Sequence, residues 1–229
     1  MDLPTTPTPA TEAANQPRRL LLYGNPKVGK SAAIASLEGC LLIDTEDNSD
    51  HLSGLKVKVK NLAELFEVFK AIAAKPSAYK YVALDTITKV EDWCEEHATN
   101  TYRNLPIGKN FTPGASVLTL PNGGGYYYLR NSLKRVLDTF FACHPKTIVI
   151  GHTKDQYVTN ADAPVGKELD LTGKCAGIVL RMTSCNGYLY QDKNNVLRVN
   201  FSSSINNGSH IKRLAGKDIE FNWKEIYPT

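Results

Sequence analysis

The sequence predicts an α/β fold: a mostly parallel central sheet flanked by helices, closed by a C-terminal antiparallel β-hairpin. Three observations predict it. Short apolar runs of buried-strand type, at residues 20–23, 40–44, 81–85 and 146–151, are separated by segments with helical periodicity. The string Gly24-Asn25-Pro26-Lys27-Val28-Gly29-Lys30-Ser31 lies between the first of these runs and the first helical segment. Beyond residue 186 the pattern changes to alternation on both sides of a polar turn, as a hairpin requires.

The glycine-rich string matches G-x-x-x-x-G-K-[ST], the P-loop. Glycines let the backbone curl so that its N–H groups point at phosphate oxygens. The lysine reaches the β- and γ-phosphates, and the hydroxyl ligates Mg²⁺. A glycine-rich turn with no ligand would not explain why Lys30 and Ser31 follow the second glycine. The residues expected to bind nucleotide are therefore Gly24, Asn25, Pro26, Lys27, Val28, Gly29, Lys30, Ser31 and Ala32, with ATP and Mg²⁺ as ligands. The helix that opens at Ser31 is expected to face the bound anion with its N-terminus.

Composition suits one globular domain in 229 residues. Residues 1–16, rich in Pro, Thr and Ala, are expected to form a disordered tail, and 17–229 a single domain. A net charge of +4 allows nucleic acid without arguing for it. No apolar run approaches the roughly 20 residues of a membrane span, so no membrane association is expected. The N-terminus carries neither a basic start nor an apolar signal core, which predicts a cytoplasmic protein. Five scattered cysteines without a C-x-x-C pair read as reduced thiols. Cys143-His144 lacks partners at metal-ligand spacing, so no zinc site is expected.

Along the chain, residues 55–59 form a weak strand in which Val57 and Val59 alternate with lysines. Asn61 caps a helix whose Leu62, Leu65, Phe66, Phe69 and Ile72 share one face, and Pro76 stops it. Residues 86–101 read as a helix anchored by Trp93. Residues 104–125, with three prolines and a run of three glycines, read as a long irregular loop, a length that points to function. Residues 126–141 return to helix, and 153–172 form a second polar loop. A short helix at 177–182 precedes the hairpin arms at 187–190 and 196–201.

Ligands of parallel sheets sit outside the carboxyl ends of the strands. Asp85 ends an apolar run some fifty residues after the P-loop, as expected of an aspartate that holds Mg²⁺. Asp44 and Glu46 follow the second run, and only one of them is expected to face the nucleotide. His152 and Thr153 close the fourth run, where a polar side chain can sense the γ-phosphate.

The order of these elements resembles the RecA-like P-loop ATPases. It is most similar to the small phage AAA-family ATPases associated with Sak-type single-strand annealing. The matching residues are the P-loop, residues 42–46, 82–88 and 148–154, and the basic stretch at 208–214, so the resemblance covers about 18–221. It implies that Glu46 activates the attacking water and Asp85 holds Mg²⁺. His152 takes the sensor position, where RecA has glutamine. Loop 153–172 lies where recombinases place a DNA-binding loop, and 104–125 corresponds loosely to the other one. Full recombinases carry an N-terminal oligomerisation element and a C-terminal domain that this sequence does not match. Single-strand binding or annealing is thus implied, rather than strand exchange.

The expected reaction is ATP hydrolysis with Lys30, Glu46, Asp85 and His152 in the catalytic machinery. A cation supplied by a neighbouring subunit accelerates such reactions by about 10³–10⁵-fold. Lys212 and Arg213 are the candidates, which implies a homo-oligomeric ring or filament. Single-stranded DNA is the expected partner, through lysines near aromatic rings: Lys109 with Phe111, Lys154 with Tyr157, and Lys167 and Lys174 adding charge. Two other readings stay open, a nucleotide-dependent switch or scaffold with little hydrolysis, and a small-molecule phosphotransferase.

Overall fold

The computed structural model describes residues 5–6, 15–156, 166–202 and 207–228. Strand β1 (Arg19–Gly24) has apolar side chains on both faces, which is why it lies in the middle of the sheet. Leu21 and Tyr23 enter one core, and Leu20 and Leu22 the other. The helix α1 (Lys30–Ala35) follows the P-loop and is short. Strands β2 (Cys40–Asp44) and β3 (Leu55–Lys58) come next, then helix α2 (Leu62–Ala74). Asn61 caps α2 by accepting from the Glu64 N–H at 2.9 Å, while the Glu64 carboxylate reaches back to the Lys60 N–H.

Strand β4 (Tyr81–Asp85) leads into helix α3 (Ile87–Arg103), whose cap is Thr86, and helix α4 (Gly125–Cys143) follows. Strand β5 (Thr147–Gln156) pairs at its far end with β6 (Gly166–Leu169). Helix α5 (Cys175–Met182) precedes β7 (Cys185–Gln191), β8 (Leu197–Asn200), β9 (Gly208–Ser209), β10 (Asp218–Glu220) and the one-turn α6 (Trp223–Ile226).

The strand order is β10-β8-β7-β1-β5-β4-β2-β3. From β3 to β7 neighbours run parallel, and β7-β8-β10 are antiparallel. The hairpin read from the sequence is thus present as β7–β8, and its first arm also extends the parallel sheet beside β1. Helices α2 to α5 cover one face, and α1 and α6 the other. Phe69, Phe140, Leu65 and Leu133 are almost completely buried on the first face. Each such side chain contributes about 1.5–3 kcal/mol by leaving water.

Two stretches depart from the sequence reading. Residues 104–125 are ordered by short 3₁₀ turns at Pro106–Gly108, Val117–Thr119 and Pro121–Gly123. The Val117 N–H donates to Thr99 on α3, and Arg103 reaches the carbonyls of Thr112 and Ala115. Apolar periodicity could not show this, because single apolar anchors such as Val117, together with polar contacts to α3, hold the segment without a repeating pattern. Residues 153–156 and 166–169, read as loop, are the two arms of an antiparallel ribbon, mostly polar, with Leu169 turned into the core. Of the expected tail, Asn15 and Gln16 are docked: Gln16 bonds the Pro228 carbonyl and the Lys146 ammonium, and the Asn15 carbonyl accepts from Arg213. Among the described residues, no helix is long and apolar enough to cross a membrane.

Candidate functional site

Parallel register lines up the strand ends. Gly24 pairs with His152, Asp44 with Asp85, and Asp85 with Ile150. The residues that end β1, β2 and β4, together with His152 in β5, therefore share one edge of the sheet. Over it opens a cleft of about 570 Å³. One wall is Pro26, Lys27 and the run Gly29 to Ala32. The other side carries Glu46, Asn48 and His51 from the β2–β3 connection, with Asp85 and His152 between.

The loop needs its glycines for two separate reasons. Gly29 has φ of +105°, which side-chain-bearing residues rarely adopt. At Gly24 a Cβ would lie 2.4 Å from the backbone carbonyl oxygen of Leu189, so β7 approaches too closely for alanine. Gly24 and Asn25 act from beneath the cleft: their carbonyls accept from the Lys30 ammonium at 2.9 and 2.8 Å. Val28 is packed into the core, and the Asn25 side chain accepts from the Thr153 hydroxyl at 2.7 Å.

Lys30 is buried, and its ammonium also lies 3.2 Å from His152 Nδ1. Desolvation lowers its pKa to about 8, against the pull of Asp85 and Glu46. The buried Asp85 carboxylate accepts from the Ser31 hydroxyl. Burial raises it to about 6; the Ser31 bond opposes this, and the Glu46 charge adds to it. A buried carboxylate destabilised in its charged form, beside a hydroxyl and open to the cleft, fits a hard divalent cation with oxygen ligands.

The two carboxylates after β2 have separate tasks. Asp44 is buried and accepts from the backbone N–H groups of Glu46 and Ser49, both at 2.9 Å, so it shapes the turn. Glu46 faces the cleft. Its Oε1 is 2.9 Å from His152 Nε2 and accepts from the Thr86 hydroxyl at 2.7 Å. The His152 bond, with help from Thr86 and Asn48, holds the carboxyl down at about 2. A chain of contacts thus runs Lys30–His152–Glu46–Thr86, from the P-loop across the strand ends.

Asn48 and His51 were not singled out in the sequence. Their only signal was position, just after an acidic cluster at a strand end. Thr45 lies in the matching stretch 42–46 but has no role assigned to it by the sequence. Its hydroxyl accepts from the Thr86 N–H at 2.8 Å, which ties β2 to the turn after β4.

The residues expected to meet partners are placed elsewhere. Arg213 gives its guanidinium to the carbonyls of Asn15, Glu225 and Ile226 within its own chain. Lys212 beside it is exposed. Lys154 reaches the Leu171 carbonyl and lies near Glu168 and Asp170, and Lys167 pairs with Asp155. Lys109 and Lys174 are exposed. Phe111 packs edge-on to Tyr102 and under the Arg103 guanidinium. Tyr157 lies outside the described residues. All five cysteines are unpaired and buried, and the His144 ring contacts the Lys146 backbone and the Tyr79 carbonyl.

A parallel sheet with a P-loop after its central strand β1, Asp85 at the end of β4 and Glu46 just beyond β2 has the layout of a RecA-like nucleotide-binding fold. Residues 16–217 match the model of an AAA domain family, and the chain belongs to that family. Among solved structures it is similar to the crystal structure of the RadB recombinase. The two share 14% identity over 92% of this chain and 90% of that one, with a TM-score of 0.50, a likeness of fold. No curated protein matches.

Proposed function

We propose that the protein hydrolyses ATP and couples turnover to single-stranded DNA, in recombination, annealing or replication. The observation that carries hydrolysis is the placement of Glu46. Its carboxylate stands across the cleft from Lys30, Ser31 and Asp85, fixed by His152 and Thr86. Held near 2, Glu46 is ionised at neutral pH and can accept a hydrogen bond from the attacking water. Lys30 leaves the carbonyls of Gly24 and Asn25 to meet phosphate oxygens, and backbone N–H groups of the P-loop bind the remainder. Ser31 and Asp85 would hold Mg²⁺, which neutralises charge on the β- and γ-phosphates when bound.

DNA coupling rests on the ribbon β5–β6. It is rooted at His152, which touches Lys30 and Glu46, and at Thr153, which touches Asn25. A ligand on the ribbon therefore pulls on groups that meet nucleotide. Stacking would come from the aromatic group Tyr102, Phe111, Tyr127 and Tyr128, of which Tyr127 is 58% exposed, with Lys109 nearby in sequence.

A switch or scaffold with little hydrolysis is the second reading. Lys27 and Lys30 are the Lys or Arg side chains that line the cleft among the described residues, and P-loop proteins without an added cation turn over slowly. Phosphate release, measured with and without single-stranded DNA over a range of protein concentration, separates the two. Stimulation by DNA with turnover rising more than linearly in protein supports the ATPase and its oligomer. Nucleotide binding with little turnover, which DNA leaves unchanged, supports the switch.

A further inference from the structure

Residues 218–228 lie outside the family match and outside the cleft, yet they are built against the phosphate-binding element. The segment enters as β10, paired with β8 through Asp218–Asn200 and Glu220–Arg198. The Phe221 N–H then donates to the Leu197 carbonyl at 2.8 Å. Further on, Arg213 holds the carbonyls of Glu225 and Ile226, and Tyr227 is buried with its ring 4.6 Å from Tyr81. Between these anchors the Trp223 indole N–H donates to the carbonyl of Ala33 at 2.7 Å, 190 residues away in sequence.

Ala33 lies one turn into α1, the helix that carries Lys30 and Ser31. Its N–H bonds the Gly29 carbonyl at 2.9 Å, so one backbone path runs from the P-loop through Ala33 to the indole. A six-residue helix does not hold itself together in water, because nucleation outweighs the few bonds it makes. Its far end is closed by Ser36, whose hydroxyl also bonds Ala33 O, and by Trp223. The Trp223 ring is locked in turn, edge-on to Phe221 at 4.9 Å and stacked on Tyr227 at 5.9 Å. The same segment steadies Leu197, whose Cδ2 lies at van der Waals distance from where a Gly29 Cβ would be.

We propose that residues 218–228 form a strap that sets nucleotide affinity by holding α1 in its binding geometry, with Trp223 as the positioning residue. The inference rests on the nucleotide-binding reading of the cleft. Without the indole bond α1 frays in the empty protein, and nucleotide must reorder it on binding. Apparent affinity then falls by the fraction of molecules in which the helix is formed.

The test uses the full chain with Trp223→Phe, which keeps an aromatic ring and deletes the N–H donor. Trp93→Phe, in α3 and packed against the opposite core, is the control. Titration with a fluorescent ATP analogue well below the melting temperature should show the Trp223→Phe dissociation constant raised about three- to tenfold, the range of one lost hydrogen bond. The control should match the wild type. Hydrogen exchange of the Ser36 and Leu37 amides should quicken in empty Trp223→Phe and slow again with nucleotide. A wild-type dissociation constant in Trp223→Phe, with only its melting temperature lowered, would overturn the positioning role and leave a structural one. No nucleotide binding by the wild type would overturn the reading of the cleft itself, and the proposal with it.

Discussion

Replacing Glu46 by Gln is the sharpest perturbation of the proposed reaction. The change keeps shape and one carbonyl oxygen, which is what His152 and Thr86 both contact. Both donors keep an acceptor, so the fold loses only the difference between charged and neutral hydrogen bonds, about 1 kcal/mol. The water loses its charged acceptor. A positioned carboxylate of this kind contributes about 10²–10⁴-fold to rate, or about 2.7–5.5 kcal/mol of barrier. Binding should respond in the other direction. The Glu46 charge helps to raise Asp85, so its removal eases the repulsion in the cleft, and ATP·Mg²⁺ should bind as well as before or more tightly. Single-turnover phosphate release and a nucleotide titration on the same sample give both numbers. Release within threefold of the wild type would remove Glu46 from the reaction. Lost binding together with lost turnover would show that it holds the cleft rather than the water.

Lys30→Met should abolish tight nucleotide binding, and in the empty protein it removes the buried charge together with the bonds to the Gly24 and Asn25 carbonyls. Burial lowers Lys30 to about 8, so its charge works against the fold below that pH. Because the unfolded lysine keeps its proton to about 10.5, this penalty fades as pH rises from 8 to 10.5, and the wild type should gain stability relative to Lys30→Met over that window; a constant difference would refute the cause. Lys212→Ala should lower turnover at high protein concentration while sparing ATP affinity. Arg213→Ala should instead lower the melting temperature, since its guanidinium holds the Glu225 and Ile226 carbonyls; equal turnover loss without destabilisation would make Arg213 the trans cation. Tyr127→Ala should weaken oligonucleotide binding by about 1–3 kcal/mol if bases stack there, and Lys109→Ala should reduce its salt dependence. Unchanged binding in both variants would move the DNA path away from α4 and the 104–125 turns.

The parts of the site that depend on local chemistry were legible in the sequence. Gly24 to Ser31 announces itself because phosphate demands inward N–H groups, a lysine and a hydroxyl at fixed spacing. The strands 40–44 and 81–85 coincide with β2 and β4, since a strand buried on both faces must be apolar at every position. Even Asp85 could be placed at a strand end. What the sequence could not decide is which polar groups meet once the strands are laid side by side. Asp44 and Glu46 are two residues apart and chemically alike. Only the turn that Asp44 organises sends one carboxylate into backbone N–H groups and the other toward His152, 106 residues away. Arg213 reads as a basic residue ready for a partner until the C-terminal carbonyls are seen around it. Trp223 is invisible as a neighbour of the P-loop because 190 residues separate it from Ala33. The chemistry of phosphate binding is thus written locally, where spacing alone enforces it. The network that supports it is set by tertiary packing, because hydrogen bonds across strand ends and helix ends depend on which elements lie adjacent in the folded chain.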